Sequence, residues 1–99
     1  MDKALNMLGL CARAGKLAYG ADAAADAVRK GRAGVVVMDE GAGPNTRKML
    51  KNACLSHGAR LFEAADVGLL TGKGGRMAVA VLDEGMAARV AELFDREDG

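Results

Sequence analysis

Two consecutive stretches decide the fold: YGADAAADAVRKG at residues 19–31 and GVVVM at residues 34–38. In the first, Gly20 follows a tyrosine that ends a short apolar segment, an alanine-rich helix comes next, and Gly31 closes that helix. The second stretch is a continuous β-branched run, which is typical of an interior strand covered on both faces. A strand, a helix and a buried strand in this order predict an α/β fold.

The same alternation continues outward in both directions. The other predicted elements are a helix at 2–13, a strand at 16–19, a helix from Pro44 that ends at Gly58, a strand at Arg60–Ala64, a brief helix at 66–70, a strand at 77–82 and a helix at 85–94. The order α-β-α-β-α-β-α-β-α predicts a three-layer αβα sandwich around a four-stranded sheet, mostly parallel or mixed. We expect a single domain over residues 1–94 and a frayed acidic tail over 95–99.

The composition is that of a small globular domain with few aromatic residues. Of the 99 residues, 51% are hydrophobic and 3% are aromatic, so alanine, valine, leucine and methionine must form the core. The scarcity of aromatic side chains leaves no platform on which single-stranded bases would stack. No apolar run approaches the length of a membrane span and no signal-peptide pattern opens the chain, so we expect no membrane partner.

The two cysteines lie far apart, each within an apolar helical pattern. We interpret Cys11 and Cys54 as reduced core residues of a cytoplasmic protein. His57 follows Cys54 by three residues, which suggests a Cys–His nucleophile, but a buried thiol with a histidine at the helix end explains both residues. Without a CxxC motif or a second histidine, we expect no metal site. We also expect no cofactor and no enzymatic activity.

The charges divide the chain into a basic body and an acidic end. Residues 1–82 contain 12 basic and 7 acidic side chains, whereas residues 83–99 contain 2 basic and 6 acidic ones. This division indicates one face that meets phosphate and another that does not. The alternative is a solvated helix and tail that are acidic without further consequence.

A basic glycine-rich segment, TGKGGR at residues 71–76, precedes the last predicted strand. It lacks the GxxxxGK[ST] spacing of a phosphate-binding P-loop, and it leads into a strand instead of opening a helix. No GxGxxG motif follows the first strand either, which disfavours a nucleotide-binding enzyme.

RNA binding is a better interpretation of the same residues. The helix that starts after Gly20 presents backbone N–H groups at the positive end of its dipole. Because ligands gather where chain segments leave strand ends, this helix start and the glycine-rich segment are predicted to share one edge of the sandwich. Lys16, Lys73 and Arg76 would then contact phosphates. The alternative interpretation is a set of turn glycines beside solvated basic residues.

Beyond these local patterns, residues 5–86 resemble a known family. The matching segments are Leu8-Gly9-Leu10, Ala14-Gly15-Lys16-Leu17, Gly20, Ala27-Val28, Gly31, the strand at 35–38, Asn45-Thr46, Gly68, Gly72-Lys73, the strand at 79–81 and Asp83-Glu84-Gly85. Together they resemble the small ribosomal-type proteins that bind kink-turn RNA, the L-seven-Ae and L-thirty-e group, and in particular its bacterial YlxQ-like branch. The resemblance implies an αβα sandwich and a non-enzymatic, ribosome-associated RNA-binding protein.

The family reads RNA through the helix that starts after Gly20, with a Gly-x-Asn-Glu-x-x-Lys type motif. This chain keeps Gly20, but it has Asp22 where asparagine is typical, Ala23 where glutamate is typical and Asp26 where lysine is typical. An aspartate at the second position accepts hydrogen bonds but lacks the amide donor, and Asp26 places an anion near phosphate. The resemblance therefore implies kink-turn-like recognition with weakened specificity, with residues 72–76 covering a flipped-out nucleotide.

The same departures leave a second interpretation open. Asp22 and Asp26 stabilise a helix N-terminus, and Asp26 is spaced to pair with Lys30. The alternative is therefore a protein–protein interaction module on the same fold that has lost its RNA site. The partners that we expect are structured RNA (ribosomal or kink-turn-like) and a ribosomal or translation-factor protein, with the chain itself a monomer. The complete set of residues predicted to bind RNA is Lys16, Gly20, Ala21, Asp22, Ala23, Asp26, Lys30, Arg47, Lys48, Gly72, Lys73, Gly74, Gly75 and Arg76.

Overall fold

The computed structural model describes residues 2–68 and 76–98 of the chain. The helices of this part are α1 (Asp2–Arg13), α2 (Ala21–Arg29), α3 (Pro44–His57) and α4 (Glu84–Asp98). The strands are β1 (Leu17–Tyr19), β2 (Val35–Asp39), β3 (Arg60–Ala64) and β4 (Ala78–Val81). Val67 and Gly68 are helical, as expected for the start of the brief helix predicted at 66–70, whose end lies outside the described residues.

The four strands form one sheet in the order β1-β4-β2-β3. β2 and β3 pair in parallel, with Val35 opposite Arg60, whereas β4 lies antiparallel to both β1 and β2. The predicted α/β sandwich is therefore confirmed, and of the two predicted kinds of sheet the mixed one is found. The strand order has a physical reason: β4 inserts between β1 and β2, where its four residues are buried on both faces.

Helices cover both faces of the sheet, and the alternation of side chains in β2 and β4 divides the core in two. Val35 and Val37 of β2 join the core under α1 and α4, whereas Val36 and Met38 join the core under α2 and α3. Successive side chains of a strand point to opposite faces, so a continuous apolar run serves both cores at once. This explains why the GVVVM stretch occupies the interior of the sheet.

Small side chains bring α2 close to the sheet. Ala24, Ala25 and Ala27 are buried on its inner face, and β4 meets them with Ala78 and Ala80. Because alanine on both sides leaves little separation between the layers, α2 packs closely against β4.

Most of the predicted positions at which helices begin and end are confirmed. α3 begins at Pro44 and ends before Gly58, which takes φ +70 and donates its N–H to the Cys54 carbonyl. The last helix is longer than predicted, since it continues beyond residue 94 to Asp98. Two contacts hold its far end: Phe94 stacks on Phe62 with ring centroids 4.8 Å apart, and Asp95 pairs with Arg60 at 2.7 Å.

Among the helices of the described ranges, none is long and apolar enough to cross a membrane. Cys11 and Cys54 are both buried free thiols, as predicted.

Candidate functional site

The described residues that were predicted to function lie at the two opposite ends of the strands. The end at which β1 and β2 finish is named the Gly20 edge. There, the Gly20 N–H donates to the Ala78 carbonyl at 2.8 Å and the Asp39 N–H donates to the Met77 carbonyl at 2.7 Å. This edge therefore joins the ends of β1 and β2 to the start of β4. At the opposite edge, named here the Gly34 edge, Arg60 donates its N–H to the Gly34 carbonyl at 2.9 Å.

The N-terminus of α2 lies open at the Gly20 edge. Gly20 takes φ 99 and ψ 154, a conformation available essentially to glycine alone, and no side chain caps the helix that follows. The first intrahelical hydrogen bond runs from Ala24 N–H to the Gly20 carbonyl at 2.9 Å. The N–H groups of residues 21–23 are consequently without intrahelical acceptors at the positive end of the helix dipole.

A cation lies directly over this helix start. The Arg76 side chain packs against Gly20, with Nη1 3.6 Å and Cδ 3.9 Å from the position that a Cβ on residue 20 would occupy. Within residues 2–68 and 76–98, no carboxylate forms an ion pair with Arg76. Because a helix N-terminus favours anions, a guanidinium placed there adds to its positive potential, which the Asp22 carboxylate in the first turn offsets in part.

The N-terminus of α3 opens onto the same edge, since α2 and α3 share one face of the sheet and both follow strands that end there. Gly43 forms its N-cap with an extended backbone and without a side-chain hydrogen bond. Asn45 and Lys48 of its first two turns are exposed. The edge thus presents two uncapped helix starts together with exposed basic side chains.

Arg47, predicted to bind RNA, is instead engaged within the protein. Its guanidinium donates to the Glu40 carbonyl at 2.6 Å, to the Ala42 carbonyl at 3.0 Å and to the Glu63 carboxylate at 2.5 Å. These hydrogen bonds tie the loop after β2 to the edge strand β3. The arrangement gives Arg47 a structural role that a helical-wheel reading of α3 does not reveal, because its acceptors come from distant segments.

Sequence reasoning also missed Asp39, the last residue of β2. One carboxylate oxygen accepts the Gly41 N–H at 2.7 Å and the other accepts the Val67 N–H at 3.0 Å. Asp39 thus fixes the loop before α3 and the helical start that leads toward residues 69–75. The signal available in the sequence is an aspartate at the end of a buried strand with glycine two residues later, which is typical of an Asx turn.

The outer face of α2 carries the three positions at which the sequence departs from the family motif. Asp22, Ala23 and Asp26 are all exposed. Asp26 pairs with Lys30 at 3.0 Å, as the i,i+4 spacing predicts, and both side chains remain more than half exposed. This pair lies on the surface, where such an interaction contributes about 0.2–0.5 kcal/mol.

The structure brings some of the predicted residues together and separates others. Gly20, Ala21, Asp22, Ala23 and Arg76 gather at the start of α2. Lys30 lies at the other end of that helix. Gly72, Lys73, Gly74 and Gly75 lie outside the described residues.

Lys16 lies at the Gly34 edge, away from Gly20. Its carbonyl accepts the Leu82 N–H at 2.8 Å, next to the end of β4. Four residues of extended chain at about 3.3 Å each separate it from Gly20, roughly 13 Å in total. Lys16 and Gly20 therefore lie beyond opposite ends of β1 and do not contact the same phosphate.

The Cys54 and His57 pair shows no arrangement for nucleophilic catalysis. Burial raises the pKa of the Cys54 thiol, which disfavours the thiolate. The His57 Nδ1–H donates to the Ala53 carbonyl at 3.1 Å, an interaction within α3. In the described part of the chain, no group of three His, Cys, Asp or Glu side chains is placed to hold a metal ion.

Comparison with curated proteins identifies two relatives over nearly the full chain. The RNA-binding protein YlxQ of Bacillus subtilis (strain 168) is 34% identical over 92 residues, which cover 90% of this chain and 92% of that protein. The RNA-binding protein YlxQ of Enterococcus faecium is 31% identical over 97 residues, which cover 95% of this chain and 93% of that protein. A scan against models of protein families finds no match.

Solved structures share the same fold. A protein of unknown function from Bacillus halodurans C superimposes with a TM-score of 0.89 at 32% identity, over 96% of this chain and 99% of that one. The Giardia lamblia 15.5kD RNA binding protein superimposes with a TM-score of 0.75 at 18% identity, over 93% of this chain and 82% of that one. At 18% identity the second likeness shows a common fold and nothing more.

Proposed function

The chain belongs to the family of the YlxQ proteins, and from that membership we propose that it is a non-enzymatic protein that binds structured RNA at the Gly20 edge. The relatives at 34% and 31% identity bear the name of RNA-binding proteins, and each is aligned over nine-tenths of its length. Binding through the same fold is the simplest role for a chain of this family.

One observation carries the location of the proposed site: the Arg76 guanidinium over the uncapped start of α2. Three backbone N–H groups without intrahelical acceptors and a cation with no ion pair among residues 2–68 and 76–98 suit a phosphate of the RNA backbone. Gly20 has no side chain, so the RNA backbone can approach the helix closely. The exposed Lys48 at the start of α3 adds a second phosphate contact on the same edge.

The proposal includes a preference for kink-turn-like RNA that is weaker than in a chain with the full reading motif. Asp22 accepts a hydrogen bond from a guanine N–H or a ribose hydroxyl but donates none. Ala23 makes no polar contact, and Asp26 is engaged with Lys30. Each lost base contact costs about 1–3 kcal/mol of discrimination. The remaining affinity then comes mainly from phosphate contacts, so it falls steeply with salt.

Residence on the ribosome, a cytoplasmic location and a monomeric state belong to the same proposal. A structured RNA partner of ribosomal type fits a small protein whose site consists of backbone N–H groups and basic side chains. A ribosomal or translation-factor protein is the second partner that we propose.

The test is a titration of labelled kink-turn RNA and of a plain duplex of equal length, each at two salt concentrations. We expect tighter binding of the kink-turn RNA, with affinity for both RNAs lost as salt rises. Equal affinity for the two RNAs at micromolar protein would contradict kink-turn recognition. Absence of binding to either RNA would contradict RNA binding altogether.

A protein–protein interaction module is the second candidate function, and the exposed acids on α2 favour it. Asp22 and Asp26 place two anions on the face that reads RNA in the family. If this face binds a basic protein, Asp26→Lys should weaken the binding of that protein and leave the affinity for RNA at background level.

A further inference from the structure

We propose that the Gly34 edge carries a second phosphate-binding site, a groove that holds a backbone segment of the same RNA beyond the part bound at the Gly20 edge. The proposal rests on RNA binding as proposed above. It concerns residues at the opposite end of α2 from the family's reading motif.

The groove is an open cavity of about 860 Å³ between the end of α2 and the first half of α4. Four basic side chains and one histidine contribute to its wall: Arg29, Lys30, Arg32, Arg60 and His57. Glu84 is the acidic residue that lines it. All six side chains are exposed.

Two of the four cations already have partners. Lys30 pairs with Asp26 at 3.0 Å, and Arg60 pairs with Asp95 at 2.7 Å. Within the described ranges, Arg29 and Arg32 form no ion pair. These two guanidinium groups are therefore the ones available to an incoming anion.

The dipole of α2 does not account for this cluster. A single cation in the last turn already complements the dipole, and Arg29 occupies that position. Arg32 lies beyond the helix, after Gly31, and its N–H bonds to the Ala27 carbonyl at 2.8 Å. The Arg32 guanidinium is thus a further positive charge at the C-terminal end of α2, where Arg29 and Lys30 already complement the helix dipole.

The lining of the groove favours a nucleic acid backbone over a protein partner. Its apolar part consists of small or aliphatic residues such as Ala87, Ala88 and Ala91, and it contains no aromatic side chain. Protein interfaces concentrate their binding energy in Trp, Tyr and Arg anchors packed in desolvated pockets, whereas this groove has no Trp or Tyr and its arginines are exposed. A shallow groove with planar guanidinium groups instead matches the geometry of phosphate oxygens.

The two ends of α2 are far enough apart to require an extended RNA. The helix has nine residues, so its ends are about 14 Å apart at 1.5 Å per residue. An RNA whose arm continues past the kink reaches the groove, whereas one cut short at the kink does not.

The experiment compares the double variant Arg29→Gln/Arg32→Gln with the wild-type protein on two RNAs, the same kink-turn with long arms and with arms cut at the kink. On the long RNA we expect affinity to fall about tenfold or more at low salt. The slope of log affinity against log salt should decrease by about 2, since each lost phosphate contact removes about 1. On the short RNA the variant should bind as the wild type does.

The control is Arg89→Gln/Arg96→Gln, which removes two exposed cations of α4 that pair with Glu92 and do not line the groove. An unchanged salt slope for the groove variant on the long RNA would overturn the second site and leave the groove to a protein partner. An equal loss on both RNAs, or in the control, would overturn it in favour of a general effect of charge. If the wild-type protein binds neither RNA, the proposed function itself fails, which is a distinguishable result.

Discussion

The guanidinium of Arg76 and the backbone of Gly20 are in contact, with Nη1 3.6 Å from where a Cβ on residue 20 would lie. The two residues are 56 positions apart in the chain. They meet because β1 and β4 pair antiparallel, with Tyr19 opposite Val79, so the end of one strand lies beside the start of the other. The contact places a cation and an open helix start at one point.

Replacing Gly20 by alanine should destabilise the fold. At φ 99 and ψ 154 a residue with a Cβ is strained by about 1–3 kcal/mol. The added Cβ would be in ordinary contact with Arg76, so strain in the backbone is the main cost. Urea unfolding should show a midpoint below that of the wild type. Gly34→Ala is the matched control, because nothing lies within 4 Å of its Cβ and its φ is not positive. Equal losses in both variants would contradict the strain argument.

Replacing Arg76 by glutamine should weaken RNA binding and leave stability unchanged. The side chain is exposed and forms no ion pair among the described residues, so unfolding should shift by less than about 0.5 kcal/mol. Loss of one phosphate contact should lower the salt slope of RNA affinity by about 1. Lys51→Gln, an exposed cation on α3, serves as control and should bind as the wild type does. A loss that is as large in the control would refute a specific contact.

Local signals predicted the elements whose ends are set within a few residues. The β3 strand falls at Arg60–Ala64 as predicted, because Gly58 breaks the preceding helix with φ +70 and the strand follows at once. Pro44 likewise marks the start of α3. In each case the backbone preference of one residue, or of its immediate neighbours, determines where the element begins or ends. A sequence pattern can therefore predict it.

Sequence patterns do not predict the interactions between segments that lie far apart in the chain. The antiparallel insertion of β4 depends on which strands pair, and alternation alone suits either kind of sheet. Arg47 looks like a solvated helix cation until its acceptors at Glu40, Ala42 and Glu63 are known. The charge of Lys16 predicts a phosphate contact beside Arg76, but the extended strand β1 carries Lys16 to the edge opposite Gly20.

Truncating Arg47 to alanine should cost stability through the loss of its three hydrogen bonds. Each hydrogen bond contributes about 0.5–1.5 kcal/mol, so the loss of all three should lower the free energy of unfolding by roughly 1.5–4.5 kcal/mol. Lys48→Ala, the exposed neighbour with no such network, should stay within about 0.5 kcal/mol of the wild type. Arg47→Lys should recover little, because an ammonium cannot reach three acceptors in a plane. Full rescue by lysine would show that charge alone matters.

The buried thiols should make the protein less stable in alkali. Burial is the main reason that the pKa values of Cys11 and Cys54 are raised in the folded chain, and Asp83 adds to the effect at Cys11. Above about pH 9 the thiols of the unfolded chain ionise while the folded ones keep their protons. The unfolded state then binds fewer protons, so the free energy of unfolding falls as pH rises, by up to about 1.4 kcal/mol per pH unit and thiol.

The measurement is urea unfolding at a series of pH values from 7 to above 9, repeated on Cys11→Ala/Cys54→Ala. The double variant should start less stable, because two buried side chains are shortened, but its stability should fall less steeply at high pH. Parallel curves for the two proteins would show that other groups cause the decline.

Replacing Asp26 by lysine tests whether the α2 face is an intact RNA reader that lacks one cation. The change removes the 3.0 Å pair with Lys30 and sets two cations at i,i+4 spacing. The cost should remain below about 1 kcal/mol, since each such effect is about 0.2–0.5 kcal/mol on an exposed helix. If the RNA lies along this face, kink-turn affinity should rise about tenfold or more, because an anion near phosphate becomes a cation.

Asp26→Asn separates the two causes: it relieves repulsion without adding a contact, so its gain in RNA affinity should be smaller. A lysine variant that stays folded and gains no affinity would mean that this face does not read RNA in this chain, and the protein–protein module would then be the better account of Asp22 and Asp26.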